Sequence, residues 1–396
     1  MSSTGDTAID SGHARTTADR LRLTLWILWA TCLVLGIVGL AQRVVQGHLP
    51  AGYGSYVPWG LWVAIYFHGV GIAGGAFLLG AGAFVLGLEG FDRPASLRTV
   101  IVLAMAAILP AFTGVWLDLG RMERAPYIFM SPAFTSMMAF NAWMYGAFVI
   151  IAAACWVLSC RQRSDWLRPL LCLAILFSVL FPSQSGAFFG VIEAKGLWHS
   201  ALLPMLFLTS AITAGAAVLL VIMALPGVTD ESPERRAAAV SLLRRITLIG
   251  LIVYFVFEFA EFSITLWNPD VHAPAIELIL WGPYWWVFWI VHLLLGGAVP
   301  LVLLLVRRQT AWTIAALLVA ITFISARLNV LVPGQAVGEI QGLQEAFQHE
   351  RLRYIYHATL MEYLVGLFLL AFGVAVFFVG QRISASVGRR TQHDEG

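Results

Sequence analysis

Three groups of ionisable residues stand inside otherwise apolar sequence, where burial is costly and a working role is the natural first reading. His68 lies in Tyr66-Phe67-His68-Gly69, just ahead of a glycine-rich stretch. An imidazole can donate and accept hydrogen bonds near neutral pH, which suits a proton partner for a carbonyl-bearing ligand. The plainer alternative is a histidine satisfied by a carbonyl of a neighbouring helix. Asp118 and Arg121 close an apolar run in Leu117-Asp118-Leu119-Gly120-Arg121, with Glu123 and Arg124 following. They form either an interfacial ion pair or a carboxylate placed to exchange a proton. Glu258 and Glu261, in Phe257-Glu258-Phe259-Ala260-Glu261-Phe262, are three apart and share one helix face. Two acids so placed suit a proton or cation pathway, or else a structural hydrogen-bonded pair. His199, His292 and His357 each stand alone and read as packing residues. His68 and His292, at similar depth on different helices, could alternatively ligate a b-type haem.

The elements that must position these groups follow from composition. Hydrophobic residues make up 60% of the 396, charged residues 12%, and mean hydropathy is +0.82. That charge content is about half the usual ~25%, too little to cover a soluble surface. Apolar segments near the ~20 residues needed to cross a bilayer recur at roughly 22–42, 57–88, 97–117, 134–159, 167–181, 198–225, 244–267, 282–306, 310–326 and 357–380. The fifth and ninth are short or interrupted by polar residues. No alternating barrel pattern is present, so the fold class is all-α: a polytopic membrane helix bundle of about ten transmembrane helices.

Ten spans put both termini on one side, and that side collects all but seven of the 24 basic residues. The exceptions are Arg43, Arg121, Arg124, Lys195, Arg327, Arg351 and Arg353. The positive-inside rule then expects cytoplasmic termini in a bacterial inner membrane. Residues 1–20 read as a polar, disordered tail without a signal-peptide pattern, 21–382 as the membrane domain and 383–396 as a second tail. The longest outer connection, about Gly334 to Arg353, carries Glu339, Glu345, His349 and Glu350 and reads as a solvated loop or a docking surface. Trp59 and Tyr56 could flank a ligand entrance on the same side; most other tryptophans read as an interfacial belt.

A net charge of +2 spread over many loops gives no basis for nucleic-acid binding. Cys32, Cys155, Cys160 and Cys172 form no C-x-x-C pair, so any electrons handled here need centres on another subunit or a bound organic molecule. A faint internal echo pairs Trp59 and Gly75 with Trp198 and Gly215 at nearly equal spacing. Small-residue segments of this kind serve close helix packing. The echo also fits two related four-helix bundles, spans 2–5 and 6–9, plus two extra helices.

Several segments resemble one family. Pro58-Trp59-Gly60 through His68-Gly69 and Ala73-Gly74-Gly75-Ala76 resembles the first core helix of the NrfD/PsrC family, the membrane subunits of polysulfide-reductase-like complexes. Leu117 to Arg121 is similar to its D-L-G-R motif, with Ser131-Pro132 following. Ser185-Gly186 to Gly190, then Leu197-Trp198-His199-Ser200 to Pro204, resembles its fifth-to-sixth-span region, and Ala326-Arg327-Leu328-Asn329-Val330 its R-L-N motif. The likeness runs through nearly the whole chain after residue 20. It implies a quinone-binding subunit for which quinone or quinol is the substrate and no tightly bound metal or haem is expected. Implied partners are a ferredoxin-like iron–sulfur subunit on the outer face, further complex subunits and the lipid bilayer. The family's quinone-site histidine and aspartate correspond to His68 and Asp118, with Arg121 orienting the latter. Where many members have a tyrosine, this chain has Gln184, which keeps a hydrogen-bond donor and loses a phenol's proton chemistry. The Ser183-Gln184-Ser185-Gly186 variant is most similar to DsrP-type subunits of sulfur-metabolism complexes. A transporter-like ion-translocating module using Glu258 and Glu261 is the alternative of another class, favoured by half-helix breaks beside the polar residues.

Overall fold

The computed structural model describes residues 5–160, 165–225, 228, 231–267, 273–340, 342, 346, 349 and 352–393, and among these every regular element is a helix. Arg161, Arg163, Glu345, Glu350 and Arg351 lie outside the described residues. Among the described residues, ten helices are long and apolar enough to cross a membrane: Arg22–Gln46, Leu61–Val85, Pro94–Asp118, Met137–Ser159, Leu167–Gly190, Leu203–Ala224, Pro233–Ile264, Val287–Leu305, Gln309–Ala336 and Leu360–Val387. They are spans 1 to 10 below.

Number and order agree with the sequence reading; the corrections concern helix ends. Span 5 does not stop near residue 181 but carries Pro182 inside it and continues to Gly190. Span 9 does not stop at 326. It runs to Ala336 as two helices, Gln309–Thr322 and Ile324–Ala336, meeting at Phe323. Arg327, expected in an outer connection, is therefore inside the span and only 4% exposed. The physical reason is common to both cases. Polar residues and prolines are tolerated within a span when they face other helices that supply partners. Span 2 starts at Leu61, later than expected, because Pro58-Trp59-Gly60 remains non-helical.

Local signals punctuate the helices. Pro94 begins span 3, where a missing N–H is harmless, and the Ser136 hydroxyl accepts from the Ala139 amide to cap span 4. Gly87, with φ +68°, ends span 2 in a conformation that suits glycine.

Burial separates the centre from the periphery. In the most apolar stretches of spans 2, 3 and 6, 61% of residues are buried, against 11% in span 1 and 22% in span 10. Span 2 packs against spans 3, 5 and 6, and span 10 lies against spans 1 and 3. At the crossing of spans 2 and 6, a Cβ on Gly75 would collide with the Ala211 carbonyl, and one on Gly215 with the Ala76 amide. The two glycine segments that echo each other in sequence are thus in backbone contact. Their tryptophans meet too: Trp59 and Trp198 stack with centroids 6.1 Å apart and planes at 20°. Spans 2 and 6 thus meet at both the glycines and the tryptophans of the sequence echo.

Filling the crossing should separate the helices. Gly75→Leu is expected to destabilise the protein by about 1–3 kcal/mol or more through overpacking. Gly82→Ala, where a Cβ meets nothing within 4 Å, should leave stability unchanged. Thermal unfolding of both variants in detergent checks this pair of outcomes.

Candidate functional site

Polar side chains gather in three places. The first is where span 3 ends. Arg43 of span 1, buried, donates from Nε to the Leu117 carbonyl at 2.8 Å and from Nη2 to the Leu119 carbonyl at 3.1 Å. These carbonyls would otherwise be orphaned at the helix end. Arg43 Nη2 also donates to His48 Nε2 at 2.7 Å, so the other ring nitrogen carries the hydrogen and donates to the Tyr53 hydroxyl at 2.6 Å. Burial and the neighbouring Arg43 hold His48 below its ordinary pKa. Burial, and then the charge of Asp118, push the Tyr53 phenol up. Asp118 itself has a buried oxygen, Oδ1, with no hydrogen-bond partner.

Beside it stands a carboxylate that the sequence reading missed. Glu362 of span 10 is fully buried and accepts from the Gly52 amide at 2.8 Å, the Thr359 amide at 3.0 Å, the Thr359 hydroxyl at 3.1 Å and the Tyr356 hydroxyl at 2.5 Å. The signal was present: Thr359-Leu360-Met361-Glu362 is a capping box ahead of an apolar run.

The second place is His68, half-buried and in the second turn of span 2. Its Nε2 donates to the Ala320 carbonyl at 2.7 Å, as the plainer sequence reading has it. Ala320 lies in the last turn before the interruption at Phe323, where span 9 has carbonyls to offer. With Nε2 donating, a neutral ring presents Nδ1 as an acceptor. On the neighbouring face of the same helix, Tyr66 packs edge-on against Tyr145, whose hydroxyl donates to Ser185 Oγ at 2.7 Å. Ser185 uses its own hydrogen on the Phe181 carbonyl at 2.8 Å.

The third place is the interior of the second bundle. Span 8 is π-helical over Val287–Ala298, a local geometry that recurs at functional sites. It carries His292, which is fully buried. His292 Nε2 is hydrogen-bonded to Glu258, 2.9 and 3.0 Å from its two oxygens, and Tyr254 donates to the same side chain at 3.0 Å. His292 Nδ1 is 3.1 Å from Ser325 Oγ, whose single hydrogen goes to the Thr322 carbonyl at 2.5 Å. Ser325 can then only accept, so Nδ1 carries a hydrogen, and one proton is shared across the contact between Nε2 and Glu258. Arg327 donates to Ser210 Oγ at 2.7 Å and lies over the Phe207 ring at 3.9 Å, with Nε unpartnered. Glu258, Glu261, Arg327 and Asn329 line a cavity of about 30 Å³, room for a water.

The structure divides the sequence-derived candidates. Glu258 and Glu261 share the cavity but not their partners, since Glu261 accepts from Ser200 Oγ at 2.8 Å. His68 and Asp118 have separate neighbourhoods: the break of span 9 for one, Arg43 and Glu362 for the other. Arg121 is exposed and ion-pairs with Glu123 at 3.9 Å, not with Asp118. Gln184 donates to the Met137 thioether at 3.3 Å. Tyr56 stacks on Tyr354 at 4.1 Å, and the Trp59 backbone is clamped from both sides by the Gln335 amide, each bond 3.0 Å.

Comparison with known proteins agrees with this architecture. The chain is 25% identical over 396 residues to a selenate reductase subunit of Mesobacillus selenatarsenatis, covering 87% of this chain and 91% of that one. It is 27% identical over 356 residues to the Hdr-like menaquinol oxidoreductase integral membrane subunit of Archaeoglobus fulgidus, covering 86% and 87%. The family described as polysulphide reductase, NrfD, matches residues 51–339. A ten-span helical membrane protein with that match over most of its length belongs to the NrfD polysulphide reductase family.

Proposed function

We propose that the chain is the quinone-reactive membrane subunit of a multi-subunit oxidoreductase, exchanging electrons between the quinone pool and an iron–sulfur partner on the outer face of a bacterial inner membrane. The observation that carries this reading is Asp118: a carboxylate at the membrane edge with one buried oxygen unpartnered. Native interiors rarely leave such an acceptor unmade, and a quinol hydroxyl would complete it. Each quinol hydroxyl loses a proton as it is oxidised. Asp118 is one acceptor for such a proton, and His68, whose Nδ1 stays an acceptor while Nε2 is held by Ala320, is a second in its own neighbourhood. In quinone reduction the same groups return them. Tyr56 and Trp59 form the lip, Arg121 lies beyond Asp118, and Gln184 is held only by a thioether, a weak acceptor easily exchanged for a quinone oxygen. The relationship to a menaquinol oxidoreductase subunit supports the substrate class.

In the second bundle, the buried His292–Glu258 pair and its water-sized cavity support coupling of this reaction to proton movement. The interruption at Phe323, between Ala320 and Ser325, is the kind of half-helix break that accompanies ion sites. One interrupted span holds His68 through one carbonyl and His292 through one hydroxyl.

Two measurements on the assembled complex test these readings. Asp118→Asn and His68→Ala should each lower quinol-linked turnover at least tenfold and weaken quinol-analogue binding; unchanged turnover and affinity in both would remove the site. Glu258→Gln in sealed vesicles should lower the number of protons moved per electron while uncoupled turnover persists. An unchanged proton-to-electron ratio in a folded variant counts against the coupling.

A further inference from the structure

At the end of the bundle opposite Asp118, a cavity of about 250 Å³ opens between the start of span 3, the last turns of span 10 and the segment leading into span 7. Its lining includes Ser96, Arg98, Glu231, Gln381, Arg382 and Ser384. None of these takes part in the quinone or proton chemistry above.

Its charge is one-sided once internal pairs are removed. Glu231, whose side chain is 2% exposed, accepts from Ser96 Oγ at 2.7 Å and Arg235 Nε at 2.9 Å, and lies 3.8 Å from Arg93 Nε. Arg235 also pairs with Asp92. That acid is therefore neutralised within the fold. Arg98 and Arg382 have no carboxylate within 4.0 Å among the described residues. Arg98 is fixed by one bond, Nη1 to the Ser159 carbonyl at 2.9 Å, which leaves its other nitrogens to donate. Gln381 Nε2 is buried with no partner. Ser384 Oγ accepts from Trp156 Nε1 at 3.0 Å, so its own hydrogen is available. The first amides of span 3 sit beside these groups at the positive end of a helix dipole.

Among the described residues, two guanidinium groups without a carboxylate partner, a buried amide nitrogen without a partner and the Ser384 hydroxyl place donors around one cavity. Phe378 and Ala385 of span 10 and Val228 supply an apolar wall, and Val379 and Ile383, 56% and 47% exposed, continue the apolar surface of span 10 outside it. We propose that this cavity binds the phosphate-bearing head group of an anionic membrane phospholipid, with the acyl chains along span 10. Basic pockets between transmembrane helices serve this purpose elsewhere, each arginine near the surface contributing about fivefold in affinity. A free phosphate ion shares the head-group chemistry and lacks any use for the apolar wall.

The full chain in detergent is titrated with dioleoyl phosphatidylglycerol, dioleoyl phosphatidylcholine or sodium phosphate, with bound lipid counted by native mass spectrometry and Tm followed in parallel. Phosphatidylglycerol should bind at least fivefold better than phosphatidylcholine and raise Tm. Arg382→Gln, at an exposed position, should lose about fivefold in binding, and Arg382→Lys should restore most of it. Arg98→Lys, which keeps the charge, should bind within about twofold of wild type. Equal occupancy by the two lipids, or occupancy unchanged in Arg382→Gln, overturns the proposal. Sodium phosphate that raises Tm as much as phosphatidylglycerol and displaces it assigns the site to the free ion and overturns the lipid.

Discussion

Spans 2 and 6 meet backbone to backbone at Gly75 and Gly215, and most of the interior depends on that approach. In lipid there is no hydrophobic drive between helices, so association relies on close packing and internal hydrogen bonds. The crossing lets Trp59 stack on Trp198 and brings the Arg327 guanidinium within reach of Ser210 while packing it over Gly71, one turn from His68. Trp198 in turn donates to the Val330 carbonyl at 2.8 Å, tying span 9 to the same axis. A side chain at either glycine would displace span 6, and with it the partner of a buried cation.

Placement in a bilayer makes hydrogen-bond accounting strict, and the accounts of two neighbouring acids differ. Glu362 has four donors and no exposure; it closes a helix start and ties the segment at Gly52 to span 10. Asp118, a few residues from the same loop in space, is left with one oxygen unmade. A fully satisfied carboxylate has nothing further to bind and holds structure. An unsatisfied one at the membrane edge retains the capacity to accept a ligand's hydrogen.

Ten spans were legible because each needs a run of apolar residues and the basic loops alternate; this holds for span 4 as clearly as for span 3. Span 9 was misjudged since hydropathy cannot tell a polar residue ending a helix from one facing a protein interior. Arg327 and Asn329 belong to the second kind. The ionisable groups themselves stood out, His68, Asp118 and Glu258 among them, because rarity alone marks them; His292, which reads in sequence as a packing residue, is bonded to Glu258. Most of their partners did not stand out: Ser325, Arg43 and Glu362 come from other helices, and pairing across helices leaves no trace in local spacing. Two carried a local sign, Glu362 in its capping box and Tyr254 four residues before Glu258 on the same helix.

The interval from Gly75 to Gly215 recurs from Asp118 to Glu258 and again from Ser185 to Ser325, and falls one short from Pro94 to Pro233. The recurrence has structural content. Ser185 accepts from Tyr145 of span 4, and Ser325 accepts from His292 of span 8, in each case while using its own hydrogen on a carbonyl of its own helix. What differs is where the acid ends up. Span 3 stops at Asp118 and leaves it at the helix end, whereas span 7 runs on past Glu258 and keeps it beside the buried His292 ring. One acid is therefore left at a helix end with an unpartnered oxygen, and the other is held against a buried imidazole. That difference in position follows from helix length.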